Sequence, residues 1–132
     1  MNEVFEFLTE NPTFYLATID GDQARVRPFG AVAKFEDKLY FTTSNTKDVF
    51  KQLTANPKVE VSTTSPKGEW IRLTGNAVVD PRQEAKVAML ESNPMLKKMY
   101  SLDDGILEVF YLTDAVAVFN SFSSAEPKIV KF

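Results

Sequence analysis

The sequence contains neither cysteine nor histidine. Without cysteine there are no disulfides, thiolate nucleophiles or CxxC redox pairs, and with histidine also missing the usual zinc and iron sites cannot be built. A Ser-His-Asp triad is excluded for the same reason. We therefore expect no metal site, and any redox chemistry has to come from a bound cofactor.

Long apolar runs and an excess of positive charge are missing as well. No apolar run approaches the ~20 residues that cross a bilayer, and segment 1–10, which carries Glu3, Glu6 and Glu10, is unlike a secretory signal. The net charge of −3 argues against general nucleic-acid binding, which depends on Lys and Arg. The 132 residues fit a single domain, 1–132, which we expect in the cytoplasm without membrane or nucleic-acid partners.

The residues that are present alternate between β-forming and helical segments. Helical spacing covers 4–8, 46–55 and 80–92, with Asn45 or Thr46 capping the second helix and Asp80 the third, and a short helical piece follows at 95–100. Strands are predicted over 14–19, 24–35, 39–43, 59–64, 69–79, 107–112 and 115–122, with a polar stretch at 123–128 before the tail. Six or seven strands with three modest helices predict a mainly β (α+β) fold, an antiparallel barrel with peripheral helices.

Two arginines stand out in the second predicted strand, at Arg25 and Arg27. Residues two apart on a strand point to the same face, so this pair could hold an anion, although a solvated charged face has the same pattern. Pro28 cannot donate a ladder hydrogen bond and marks an edge or a bulge, and Gly30 permits close approach to the backbone. This segment is the first candidate for a binding site.

A second candidate is the hydroxyl-rich end of the third predicted strand, which runs into the start of a helix. Its members are Thr42, Thr43, Ser44, Thr46 and, after them, Lys47. Free N–H groups and the helix dipole attract phosphate at such a position, whereas ordinary helix capping needs the same residues. A phosphate site is favoured if an arginine of the second strand reaches the same place, which pairing of the second and third strands would allow.

Other positions give weaker signals. The single tryptophan, Trp70, is more typical of a core or a dimer interface than of a cofactor contact. No carboxylate pair has a spacing that supports general acid and base catalysis, so the sequence names no catalytic residue.

Taken in order, these segments resemble the pyridoxamine 5′-phosphate oxidase-like family of FMN-binding split β-barrels over nearly the whole chain. The matching segments are FYLAT at 14–18, DGD at 20–22, RVRPF at 25–29, YFTT at 40–43, Lys47, KQL at 51–53, NP at 56–57 and WIRLTG at 70–75. The resemblance implies a split β-barrel homodimer with FMN at the subunit interface. It also implies an FMN-dependent oxidoreductase with a small-molecule electron donor and acceptor, its substrate unassigned.

The resemblance further implies roles for individual residues. Arg25 and Arg27 would hold the phosphate or an edge of the flavin, and the backbone of Val26, Pro28 and Phe29 would lie along the ring. Thr42, Thr43 and Ser44 would bond phosphate or ribityl oxygens, either Lys47 or Lys51 would offset the phosphate charge, and Trp70 would flank the ring, often from the partner subunit.

Two alternatives remain open at this point. One is a non-catalytic FMN carrier or sensor, and another is a binder of a related ligand such as a deazaflavin coenzyme or haem. Oxidation of vitamin B6 is not expected, because the chain is much shorter than the true oxidases. The missing histidine argues against a nitroimidazole reductase, since those relatives use one.

Overall fold

The computed structural model describes residues 1–123 and 126–132. Its helices are α1 (Asn2–Glu10), α2 (Asp48–Ala55), α3 (Gln83–Ser92) and a 3₁₀ helix (Pro94–Lys98). Its strands are β1 (Phe14–Asp20), β2 (Gln23–Phe29), β3 (Val32–Phe35), β4 (Lys38–Ser44), β5 (Lys58–Thr64), β6 (Glu69–Asp80), β7 (Leu107–Ser121) and β8 (Lys128–Lys131). No helix in these described ranges is long and apolar enough to cross a membrane.

The strands form one antiparallel sheet in the order β2-β1-β5-β6-β7-β4-β3, with β8 beside β7. β2 and β3 stand at opposite ends of this order, although only Gly30 and Ala31 separate them in the chain. The sheet therefore curls into a barrel that is left open between these two strands. The predicted mainly β fold, a split barrel with peripheral helices, is confirmed.

The core lies inside the curled sheet and is closed by the helices. Period-two patterns on the strands bury one face, as at Phe14 and Leu16 of β1, which are both 0% exposed. The helical spacing of α2 buries Val49 and Leu53 against the same core. Each fully buried side chain of this size stabilises the fold by about 1.5–3 kcal/mol, so packing fixes the position of α2 relative to β1.

The predicted strand 24–35 is wrong as a single element. Its first part, β2, pairs with β1, and its last part, β3, pairs with β4, so the chain leaves one end of the sheet and joins the other at Gly30 and Ala31. Two hairpins compete for this segment, and each takes the half nearest to it. The pairing of the second and third predicted strands holds only for β3, and the arginines belong to β2.

The predicted break between strands 107–112 and 115–122 is also wrong, because β7 is continuous. Asp114 adopts a positive φ of 52°, which Asp tolerates better than most residues, opposite a register shift between Thr74 and Asn76 on β6. The turn signal at Asp114 therefore marks an irregularity within a strand pair. β8 was not predicted, since its four residues follow the polar stretch 123–128, of which 124 and 125 lie outside the described residues.

The predicted helix caps are wrong as well. The N-cap of α2 is Lys47 and that of α3 is Arg82, where the sequence favoured Asn45 or Thr46 and Asp80. Asp80 lies two residues before the N-cap of α3. Its carboxylate accepts from the backbone amide of Arg82 at 3.0 Å and from the Tyr40 hydroxyl, so it bonds the N-cap residue and not an amide of the first helical turn. The helical piece predicted at 95–100 is the 3₁₀ helix.

Candidate functional site

A cleft of about 280 Å³ lies where the end of β2, the end of β4, the start of α2 and the 3₁₀ helix meet. Six residues predicted for cofactor binding line it: Arg27, Pro28, Phe29, Thr42, Thr43 and Lys47. The other lining residues are Gly30, Ala31, Val49, Met95, Leu96, Met99 and Tyr100. The opening of the barrel thus brings the arginine strand and the hydroxyl-rich helix start together without any pairing between β2 and β4.

Packing within the barrel sets the two sides of this cleft. Phe29 lies between Phe14 and Phe110, with ring centroids 6.3 and 6.5 Å away, so the end of β2 is anchored to the core. On the other side Ser44 closes the turn into α2, because its hydroxyl bonds the Thr46 hydroxyl at 2.6 Å and accepts from the Thr46 amide at 3.2 Å. That turn brings Lys47 to the start of α2, beside the cleft.

Arg27 is held by hydrogen bonds to neutral oxygens. Its Nη1 donates to the carbonyl of Leu16 at 3.1 Å and to the hydroxyl of Thr18 at 2.8 Å, and its Nη2 donates to Oε1 of Gln52 at 2.7 Å. Burial lowers the pKa of Arg27, and the nearby positive charge of Arg25 acts in the same direction, whereas Asp48 opposes them. Within residues 1–123 and 126–132 no carboxylate contacts this guanidinium directly, so the protein orients it without neutralising its charge.

The other arginines each pair with a carboxylate. Arg25 lies 3.2 Å from Asp20, Arg72 lies 3.7 Å from Glu60, and Arg82 lies 2.9 Å from Asp80. These three arginines therefore differ from Arg27, because each has a direct ion pair with a carboxylate. An arginine that lines a cleft and is bonded only to neutral groups is suited to bind an anion there.

Five predicted residues lie away from the cleft in the single chain. Arg25 is exposed at its ion pair with Asp20, and Val26 is 67% exposed on the opposite face of β2. Ser44 is buried in the turn before α2, and Lys51 lines a separate depression on the far side of that helix start. Trp70 stacks on Phe122 with centroids 6.4 Å apart and does not line the cleft.

The structure adds residues that the sequence did not single out. Met95 and Met99 are 63% and 64% exposed at the cleft, and Leu96 and Tyr100 beside them are buried. For this region the sequence predicted only the short helical piece at 95–100, without a role in binding. Gln52 was noted as part of a family segment, but nothing local to it in the sequence links it to Arg27.

An open antiparallel barrel with a cationic, hydroxyl-lined cleft at its opening defines a protein of the split-barrel class. A sequence profile described as pyridoxamine 5′-phosphate oxidase matches residues 1–113. The chain belongs to the pyridoxamine 5′-phosphate oxidase family. Comparison with curated protein sequences finds no match.

Solved structures extend the comparison. A NimC/NimA family protein from Clostridium acetobutylicum is 51% identical, with a TM-score of 0.97 over 100% of this chain and 92% of that one. A pyridoxamine 5′-phosphate oxidase-related, FMN-binding protein from Nostoc punctiforme is 14% identical, with a TM-score of 0.67 over 99% and 95% of the two chains. A heme-binding protein from Mycobacterium smegmatis is 13% identical, with a TM-score of 0.72 over 92% and 53%. The last two comparisons show the fold alone. Because one of these proteins binds FMN and the other heme, the fold by itself does not identify the ligand.

Proposed function

We propose that this protein binds FMN in the cleft and works as an FMN-dependent oxidoreductase. The observation that carries the proposal is the meeting of Arg27 and Lys47 with Thr42 and Thr43 in one cleft. These are the cation and hydroxyl donors that a phosphate and a ribityl chain require. The profile match to an oxidase family supports the same cofactor class.

The donor set of the cleft fits the two ends of FMN. Arg27 and Lys47 would hold the phosphate. The Thr42 hydroxyl donates to the carbonyl of Glu108 at 3.2 Å, so it would accept from a ribityl hydroxyl, and the Thr43 hydroxyl would bond a ribityl or phosphate oxygen. The apolar side chains of Phe29, Met95 and Leu96 would face the ring, since a flat aromatic system binds best against apolar groups. When bound, the flavin supplies the redox chemistry that a chain without cysteine or histidine lacks.

A homodimer with flavin at the subunit interface is part of the proposal. The cleft of about 280 Å³ is at the lower limit of small-molecule sites, which occupy about 300–1,000 Å³, so a second chain could complete it. Tyr15 and Val26 are 48% and 67% exposed on the outer face of β1 and β2, an apolar surface suited to a partner. Trp70 of each chain would then flank the ring of the flavin bound in the partner's cleft.

The test is a titration of flavin-free protein with FMN and with riboflavin, followed by flavin fluorescence. We expect clear preference for FMN, and Lys47→Met should weaken FMN at least about 5-fold while leaving riboflavin nearly unchanged. Lys67→Met is the matched control, because Lys67 is exposed in the β5–β6 turn. A protein that binds neither flavin at micromolar concentration contradicts the proposal.

Turnover separates an oxidoreductase from a carrier or sensor. Reduction of the bound flavin by NADH or NADPH, with reoxidation by an added acceptor, supports the enzyme. A flavin that stays oxidised under these conditions supports the carrier.

The cytoplasm remains the proposed location. Fractionation of cells that produce the full chain tests this location, and recovery from a secreted fraction contradicts it.

A further inference from the structure

Three side chains from different elements form a closed ring of hydrogen bonds, and one of them, Arg27, lines the cleft. Thr18 of β1 donates to Oε1 of Gln52 on α2 at 2.6 Å. Arg27 of β2 donates to the Thr18 hydroxyl at 2.8 Å and to the same Gln52 oxygen at 2.7 Å. Each member of the ring therefore contacts both of the others.

The ring fixes the guanidinium while leaving its charge intact. Thr18 is 2% exposed, so its hydroxyl is held in the protein interior, where hydrogen bonds are stronger than in water. Gln52 presents a neutral amide oxygen, which accepts two hydrogen bonds without adding negative charge. A carboxylate at this position would compete with an incoming anion for the same arginine.

The location of Gln52 ties the two cations of the cleft to one helix. α2 has Lys47 as its N-cap and carries Gln52 in its interior, and its Val49 and Leu53 are buried in the core. A rigidly packed helix therefore sets both the start position of Lys47 and the direction of the Arg27 guanidinium. Preorganised donors lose less conformational freedom when a ligand binds.

We propose that Gln52, with Thr18, is a positioning residue that directs the Arg27 guanidinium toward the phosphate of FMN. This inference rests on the proposed function of the cleft. Gln52 acts through Arg27, so its removal weakens the ligand that carries a phosphate and spares the ligand that lacks one. Once Arg27 is removed, a substitution at Gln52 should no longer change the ratio of FMN to riboflavin affinity.

A double-mutant cycle tests the inference. Dissociation constants for FMN and riboflavin are measured for the wild type, Gln52→Met, Arg27→Met and the double variant. We expect Gln52→Met to weaken FMN roughly 5-fold and Arg27→Met at least about 10-fold, with riboflavin within about 2-fold throughout. The double variant should match Arg27→Met, because the two residues contribute one interaction.

The chain offers matched controls for each position. Gln83→Met changes an exposed helical glutamine at the start of α3, and it should leave both constants unchanged. Thr18→Val removes the hydroxyl of the ring and should act like Gln52→Met. Its control is Thr63→Val on β5, which removes a buried hydroxyl bonded to the carbonyl of Thr13 at 2.8 Å.

The outcomes distinguish this inference from the proposed function. If the wild type prefers FMN and Gln52→Met keeps that preference in full, the positioning role is wrong and the cofactor assignment stands. Equal weakening of FMN and riboflavin also contradicts positioning, since it indicates general damage to the cleft. If the wild type binds neither flavin, the proposed function fails.

Nuclear magnetic resonance of the Arg27 side chain gives a readout without any ligand. A guanidinium held in the ring rotates slowly about the Nε–Cζ bond and shows separate Nη signals, and Gln52→Met should merge them. Unchanged signals in that variant overturn the positioning role whatever the flavin titrations show. Loss of the separate signals shows that Gln52 holds the guanidinium in place, and the flavin titrations then decide whether that position serves the phosphate.

Discussion

Arg27 and Arg82 hold the same side chain in two opposite electrostatic settings. Arg82 contacts two carboxylates, with Nη2 2.9 Å from Asp80 and Nη1 2.6 Å from Glu36. Arg27 donates to a carbonyl, a hydroxyl and an amide oxygen, all of them neutral. A compensated arginine stabilises the fold, whereas an oriented but uncompensated one is available to a ligand.

The Arg82 cluster consists of Tyr40, Asp80, Arg82 and Glu36. The Tyr40 hydroxyl donates to Asp80 at 2.6 Å, and Tyr40 and Asp80 are 1% and 5% exposed. The guanidinium of Arg82 lowers the pKa of Asp80 to about 2, against the opposing effect of burial. Burial, followed by the hydrogen bond to Asp80, raises the pKa of Tyr40. The cluster joins the β3–β4 hairpin to the end of β6.

The largest effect is expected from Asp80→Asn. This variant keeps the shape of the side chain but removes the charge that binds Tyr40 and Arg82, so the free energy of unfolding should fall by about 2–3 kcal/mol. Urea denaturation measures the loss, and Asp103→Asn at an exposed position is the control. The ratio of FMN to riboflavin affinity should not change. A change in that ratio would mean that the Arg82 cluster also supports the cleft.

Acid should erode the stability that this cluster provides. The folded pKa of Asp80, about 2, lies below its unfolded value of about 3.9. The ionised carboxylate therefore stabilises the fold above the unfolded pKa, and this contribution of about 2 kcal/mol is lost as the pH falls from about 5 through 2. The unfolding free energies of wild type and Asp80→Asn should be about 1 kcal/mol closer at pH 3 than at pH 7. A constant difference would contradict the assigned pKa.

Arg27→Met should show the reverse pattern to Asp80→Asn. FMN affinity should fall at least about 10-fold, or about 1.4 kcal/mol, while unfolding changes by less than about 1 kcal/mol because Thr18 and Gln52 keep their mutual bond. Isothermal titration and urea denaturation on the same sample compare the two quantities. Arg25→Met, which breaks only an exposed ion pair, is the control. If Arg27→Met lowers the free energy of unfolding by more than it weakens FMN binding, Arg27 is a structural arginine like Arg82 and the proposed difference between them is wrong.

How far the sequence predicts this distinction depends on the range of the contacts. Alternation along β2 correctly puts Arg25 and Arg27 on one face, and the Asp-Gly turn predicts the β1–β2 hairpin. Alternation does not say that Arg25 pairs with Asp20 at the hairpin end or that Arg27 reaches under α2 to Gln52. The position of α2 depends on core packing, which no local pattern of β2 contains.

The same limit explains the error at Asp80. An Asp-Pro pair before a helical segment is a good capping signal, yet Tyr40, forty positions earlier along the chain, binds that carboxylate. The split of strand 24–35 has the same origin, since β1 and β4 compete for its two halves. Local signals in the sequence predict which segments are strands or helices and most of their boundaries. The tertiary fold decides which strands pair and which side chains bind each other.

The smallest effect is expected from Gln52→Glu. This substitution gives Arg27 a carboxylate partner, as Arg82 already has, and so tests the difference between the two arginines directly. The acceptor geometry toward Thr18 and Arg27 is retained, and a negative charge is added 2.7 Å from the guanidinium. The free energy of unfolding should rise by up to about 1 kcal/mol at pH 7, as for a partly exposed ion pair. FMN should bind about 3-fold more weakly, and the affinity for riboflavin should not change, because the phosphate now competes with the new carboxylate.

Lowering the pH below the pKa of that carboxylate should restore the FMN affinity of the variant relative to wild type. If Gln52→Glu binds FMN as well as wild type at pH 7, neutral acceptors are not what keeps Arg27 available to a ligand.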